Sequence, residues 1–175
     1  MKKILTAYFS LKGETYVNGD IVVLKQGNTE VIAQRLAKKI ETDLFHIEKV
    51  GGYPPTYKEI VEVAKVEWKD DERPAFVGSV ADMEQYDTII LGYPNWCGTM
   101  PKAVWTFLEA YDMKGKTIIP YCTHEGSGLS KSVDDIKRLC PDASVLPGTA
   151  IHGAEAREVT AEIEQILKLV SEGIC

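Results

Sequence analysis

The 175-residue chain carries only four cysteines and three histidines, and neither set has the spacing of a site. Cys97, Cys122, Cys140 and Cys175 are scattered, without the close pairs of a zinc site or a Cys-x-x-Cys redox motif. They read as free thiols in a reducing compartment. Positive charge is also scarce, with 20 Lys and Arg against 26 Asp and Glu and a net charge of -6. Such a surface repels nucleic-acid phosphates and anionic membranes, and leaves a partner protein with a basic surface as the fitting charge complement. No apolar run approaches the ~20 residues needed to span a bilayer. A Gly-x-x-x-x-Gly-Lys-Ser/Thr loop is missing, which disfavours a nucleoside triphosphatase. The first strand is not followed by Gly-x-Gly-x-x-Gly, which leaves a Rossmann dinucleotide site unsupported. No repeat or low-complexity tract is visible.

What is present is alternation. With 45% hydrophobic and 26% charged residues the composition is that of an ordinary folded chain, and its length suits one domain over 1–175. Strands are expected at Lys3 to Phe9, Asp43 to Ile47, Thr88 to Leu91, Thr117 to Tyr121 and, more weakly, near Ser144 to Leu146. Helical patterns fall between them at Thr29 to Ile40, Tyr57 to Trp68, Pro101 to Tyr111, Leu129 to Leu139 and Ala154 to Ser171. Five strands alternating with five helices imply an α/β fold, a parallel sheet with helices on both faces joined by right-handed crossovers. The start of the chain reads as the first buried strand rather than a signal peptide, so a cytoplasmic location is expected. Expected caps are Asn28 or Thr29, Pro101 in a first helical turn, and Ser130 or Ser132. One connection breaks the rhythm: residues 11–26 are too long for an ordinary βα loop and hold two short apolar runs around Asn18-Gly19, which predicts a β-hairpin insertion.

Three loops at predicted strand ends carry the candidate chemistry. Ser10 with Gly27, Asn28 and Thr29 brings hydroxyls, an amide and the free N-H groups of a helix start together, a ready anion site that also reads as an ordinary N-cap. Pro94, Asn95, Trp96, Cys97, Gly98 and Thr99 offer a flat indole face flanked by backbone donors, or a Trp folded down on the core. Cys97 has no base beside it in sequence and is a weak candidate nucleophile. Thr123, His124, Glu125, Gly126, Ser127 and Gly128 form the third loop, whose glycines permit close approach to a ligand. His124 and Glu125 diverge as neighbours and read as loop structure rather than an acid/base pair. His46 and His152 have no companions at ligand spacing. Tyr53 and Tyr57 could wall a ring or simply pack a helix, and Glu14 and Tyr16 sit in an insertion placed to cover the first loop.

Taken in order across nearly the whole chain, Tyr8-Phe9-Ser10, Gly27-Asn28-Thr29, Leu91 to Trp96 with Gly98 to Pro101, and Cys122 to Gly128 resemble the flavodoxin-like proteins, most closely a subfamily with an insertion in the first phosphate loop. The resemblance implies a three-layer sandwich around a five-stranded sheet of order 2-1-3-4-5, with FMN held non-covalently at the switch point. It implies that Ser10, Gly27, Asn28 and Thr29 hold the phosphate. Pro94, Asn95, Trp96, Gly98 and Thr99 would line the flavin ring, the last two offering backbone N-H groups, while Thr123, Gly126 and Gly128 close the third side. The insertion, with Lys12, Glu14 and Gln26, departs from the simpler flavodoxin pattern. The first functional expectation is a low-potential electron carrier between redox partners. The alternative is an NAD(P)H-dependent quinone or FMN reductase, which a lid built from the insertion would favour, and a more remote one is a flavin-free signalling or binding module.

Overall fold

The computed structural model describes residues 3–174; Cys175 lies outside them. At the centre run strands β1 (Lys3–Tyr8), β4 (Asp43–His46), β5 (Tyr86–Pro94) and β6 (Thr117–His124), with β7 (Ser144–Val145) and β8 (Thr149–His152) together forming the far edge. Their order is β4-β1-β5-β6-β7, with β8 also on β6, and every pair is parallel. Counting β7 and β8 as one split edge strand, this is the expected 2-1-3-4-5 sheet. Because side chains alternate along a strand, neighbouring residues feed opposite layers. Leu5, Ile89, Leu91 and Ile118 face helices α3 (Lys102–Ala110) and α4 (Ser132–Leu139), meeting Val104, Phe107 and Ile136. Ile4, Ile90, Ile119 and Tyr121 face α1 (Asn28–Ala37) and α5 (Ala161–Ile174), meeting Ile32, Leu36, Ile163 and Ile166. No helix among the described residues is long and apolar enough to cross a membrane.

The insertion is a hairpin of β2 (Gly13–Val17) and β3 (Asp20–Leu24). Asn18 and Gly19 both take positive φ, 49° and 92°, which a tight two-residue hairpin turn requires. The remaining helix, α2 (Tyr57–Lys69), buries little beyond Ile60 and Glu67 and stands beside the hairpin. Glu14 Oε2 accepts the Tyr57 N-H at 2.7 Å, and the Tyr16 and Tyr57 rings stack at 6.0 Å.

Several element boundaries differ from expectation. Strand β5 begins earlier and runs through Gly92-Tyr93-Pro94, because Gly92 lies against the Tyr121 ring, where a Cβ would come within 2.1 Å of it, and pairing with β6 continues. Strand β6 likewise extends to His124. The edge expected at Ser144 to Leu146 stops after two residues, at Val145, and its larger part is β8, beyond Pro147-Gly148. The last helix starts at Ala161, not Ala154, after a 3-10 turn at Gly153–Glu155. The residues before α1 and α4 are Gly27 and Lys131, and neither they nor Pro101 before α3 make a side-chain cap bond. Helix α2 is capped by Thr56, whose Oγ1 accepts the Glu59 N-H.

Candidate functional site

The carboxyl ends of β1, β5 and β6 open on a cleft of about 340 Å³. Ser10, Asn28, Thr29, Pro94, Asn95, Trp96 and Thr123 all line it, so residues from all three loops meet in one space. The hairpin adds Glu14, Thr15 and Leu24, and α2 adds Tyr57, Ile60, Val61, Ala64 and Lys65. A recess of about 190 Å³ adjoins it around Tyr16, His124, Glu125 and Ser127.

At the first loop the backbone is pressed onto the start of α1. A Cβ on Gly27 would lie 2.1 Å from Ser10 Oγ and 2.5 Å from the Leu11 carbonyl, so only glycine fits. Ser10 Oγ accepts the Glu30 N-H at 3.1 Å and the Gly27 carbonyl accepts that of Val31. Among the described residues the N-H groups of Asn28 and Thr29 take no protein acceptor, which is the donor set an anion at a helix N-terminus uses. Arg157, which no local pattern singled out, donates to Asn28 Oδ1 and to the Gln26 carbonyl, both at 3.1 Å, and brings a cation to this end. His46 Nε2 lies 3.0 Å from the Ser10 carbonyl while its ring stacks on Tyr8. Thr29 and Thr123, both buried, join hydroxyls at 2.8 Å and tie the first loop to the third.

Trp96 is half-buried. Its ring meets Phe9 and Tyr53 edge-on, each at 5.2 Å, while the residue still lines the cleft. The packed and ligand-facing readings of this indole therefore coexist. Asn95 fixes the loop: its N-H reaches the Thr123 carbonyl, and its Nδ2 reaches the Gly128 carbonyl at 2.8 Å and Ser130 Oγ at 3.0 Å. Gly98 and Thr99 sit on the outer side of the loop. The Gly98 N-H goes to Asn95 Oδ1, the Thr99 N-H to the Trp96 carbonyl, and Thr99 Oγ1 to Asp135. Those two amides are engaged within the protein rather than turned to the cleft. Gly126 and Gly128 shape the third loop at positive φ and do not line the cleft.

At the tip of the third loop His124 Nδ1 accepts the Gly126 N-H, and its ring lies 5.7 Å from that of His152. Burial, then the neighbouring His152, holds the His124 pKa below its ordinary value. Glu125 Oε2 accepts the Asn18 N-H at 3.0 Å, which ties the hairpin tip to β6, while its Oε1 is buried without a protein partner. The thiols of Cys97, Cys122 and Cys140 stay protonated at neutral pH. Burial pushes Cys122 up to about 12 and Cys140 to about 11, and raises Cys97 against the pull of Lys65 and Lys102. Cys97 thus lacks the thiolate character of a nucleophile. Among the described residues no cluster of His, Cys, Asp or Glu could hold a metal ion. An anion cradle at one end and an indole face with apolar walls at the other suit an elongated ligand with a phosphate and a flat ring.

No curated protein matches the chain. Among solved structures, a provisionally named flavoprotein from Bacteroides eggerthii DSM 20697 is 27% identical with a TM-score of 0.78, covering 98% of this chain and 99% of that one. A second such protein, from Bacteroides uniformis ATCC 8492, is 26% identical with a TM-score of 0.74 over 95% and 98%. A flavoprotein from Lactobacillus acidophilus NCFM, solved in complex with FMN, shares the fold at 19% identity and a TM-score of 0.63 over 89% and 96%. A sequence model of the flavodoxin family matches residues 3–166, nearly the whole chain and all of the sheet with its three loops, and the chain belongs to that family.

Proposed function

We propose that the chain binds FMN non-covalently in the cleft and passes electrons through it to a small, flat acceptor admitted beside the ring. The cofactor assignment is supported by the fit of the residues. The free N-H groups of Asn28 and Thr29, with Arg157 behind them, suit a phosphate carrying about -1.5 to -2 charges. Trp96 and Pro94 suit the ring. Family membership and the FMN complex of the Lactobacillus acidophilus relative point the same way. When bound, FMN supplies the redox chemistry; the protein contributes binding, orientation and access.

Access favours a reductase over a carrier. The hairpin and α2 place Leu24, Ile60, Val61 and Ala64, together with Glu14, Thr15 and Lys65, along the cleft, so this side of the site is walled by protein rather than left as an open edge. A carrier docking with another protein needs an open ring edge, and the net charge of -6, suited to a basic partner, keeps that reading as the second. The experiment is an anaerobic one. FMN-loaded protein is mixed with NADH or NADPH and then with benzoquinone, and the flavin absorbance is followed. Rapid bleaching by the nicotinamide and recovery with the quinone support the reductase. Bleaching only by dithionite or by a separate reductase protein supports the carrier.

A further inference from the structure

Behind Trp96 lies a buried charged group that the cleft does not use. Glu67, on α2, is 2% exposed and is the only buried carboxylate residue among those described. A carboxylate taken out of water is costly unless paired, and this one is paired on both oxygens: Oε1 with Lys49 Nζ and Oε2 with the Tyr53 hydroxyl at 2.9 Å. Lys49 Nζ also lies 4.5 Å over the Tyr53 ring. Burial, with the adjacent Glu67 charge, raises the Tyr53 pKa and keeps its hydroxyl a donor. Tyr53 is thereby held at both hydroxyl and ring face, and its ring stands at 89° to that of Trp96, 5.2 Å away.

We propose that Glu67 and Tyr53 are positioning residues that fix the tilt of the Trp96 indole, and so set how well the cleft stacks on a planar ligand. This rests on the reading of Trp96 as a stacking face for FMN. A carboxylate is suited to the task because one oxygen anchors the Tyr53 hydroxyl while the other holds the Lys49 ammonium over the Tyr53 ring face, so that an apolar residue at 67 would release both constraints. Edge-to-face pairs contribute enough beyond burial to favour one mutual orientation. The alternative role is anchorage of α2 alone, in which case Trp96 is indifferent to residue 67.

The test compares Glu67→Leu and Glu67→Gln in the native chain and in a Trp96→Phe background. Near-ultraviolet circular dichroism of the flavin-free protein reads the indole environment, and titration with FMN reads the consequence. With Trp96 present, Glu67→Leu is expected to alter the aromatic band and to raise the FMN dissociation constant about three- to tenfold, while Glu67→Gln, which still bonds Tyr53, stays near the native values. In the Trp96→Phe background neither change appears. Equal effects in both backgrounds, or an unaltered Trp96 band, overturn the proposal. If Glu67→Leu does not fold, Tyr53→Phe removes the same bond and is read the same way. Failure of the native protein to retain FMN counts against the cofactor reading, whereas the dichroism of the flavin-free protein decides the positioning role without it.

Discussion

Replacing Gly27 with alanine isolates the close approach on which the anion cradle rests. The backbone there has φ -65° and ψ 150°, an ordinary extended conformation, so alanine costs nothing in dihedral terms and its whole effect is steric. The added Cβ would meet Ser10 Oγ at 2.1 Å and the Leu11 carbonyl oxygen at 2.5 Å, whereas real Cβ contacts essentially never fall under 3.0 Å. Ser10 Oγ must therefore retreat by at least 0.9 Å and the Leu11 carbonyl by at least 0.5 Å. That retreat strains the 3.1 Å bond from the Glu30 N-H and moves the loop off the free amides of Asn28 and Thr29. Overpacking of this kind costs about 1–3 kcal/mol, and 1.4 kcal/mol is about tenfold in affinity. Gly27→Ala is expected to lower the urea-unfolding free energy of the flavin-free protein by that range. FMN should bind about tenfold or more weakly by fluorescence titration, with a smaller loss for riboflavin, which lacks the phosphate. FMN affinity equal to that of the native protein, or an identical loss for both flavins, would refute the cradle.

Trp96→Ala removes a cleft face and its edge contacts with Phe9 and Tyr53. It is expected to weaken FMN about tenfold or more; an unchanged affinity and potential would reduce Trp96 to a packing residue. Glu14→Ala frees the N-H of Tyr57 and unfastens the hairpin from α2. Amide exchange over residues 13–24 should speed up while the sheet stays protected, and equal exchange in the two proteins would show that the hairpin is held otherwise. His124 has a pKa below its ordinary value because of burial and His152, so its neutral form is the one the fold prefers. The stability it contributes is present above the ordinary pKa of 6.5 and is lost as pH falls through the lowered value. Urea unfolding of the flavin-free protein between pH 7.5 and 5 should lose part of its acid sensitivity in His124→Asn, and a parallel decline in both proteins would contradict this.

Local chemistry accounts for much of what was legible in the sequence. The β-branched runs of β1, β5 and β6 are buried on both faces, and their alternation with helical patterns implied a parallel sheet, while its order followed from the flavodoxin-like resemblance alone. Asn18-Gly19 announced its hairpin because few other pairs adopt two positive φ values cheaply. Misread elements are those where tertiary contact overrides local signal. Gly92 and Pro94 look like loop punctuation, yet pairing with β6 holds both in strand. Thr149–His152 is too short to stand out, and becomes strand because Tyr121 to His124 offers it an edge. At the site, the loop residues were readable because chemistry and spacing coincide in short stretches. Partners far apart in sequence carried no such mark: Glu14 and Tyr57 are 43 residues apart, and Asn28 and Arg157 are 129 apart. The turn of the Asn95 side chain to Gly128 and of the Thr99 hydroxyl to Asp135 depends on the third loop and α4, which spacing within a single loop does not encode.

The central claim is that the three strand-end loops form an FMN site, and its most direct test is the visible absorption spectrum of the purified protein after FMN is added and the excess removed. The account predicts a retained flavin band near one FMN per chain, lost or strongly reduced in Gly27→Ala. A native protein that emerges without a flavin band would contradict it.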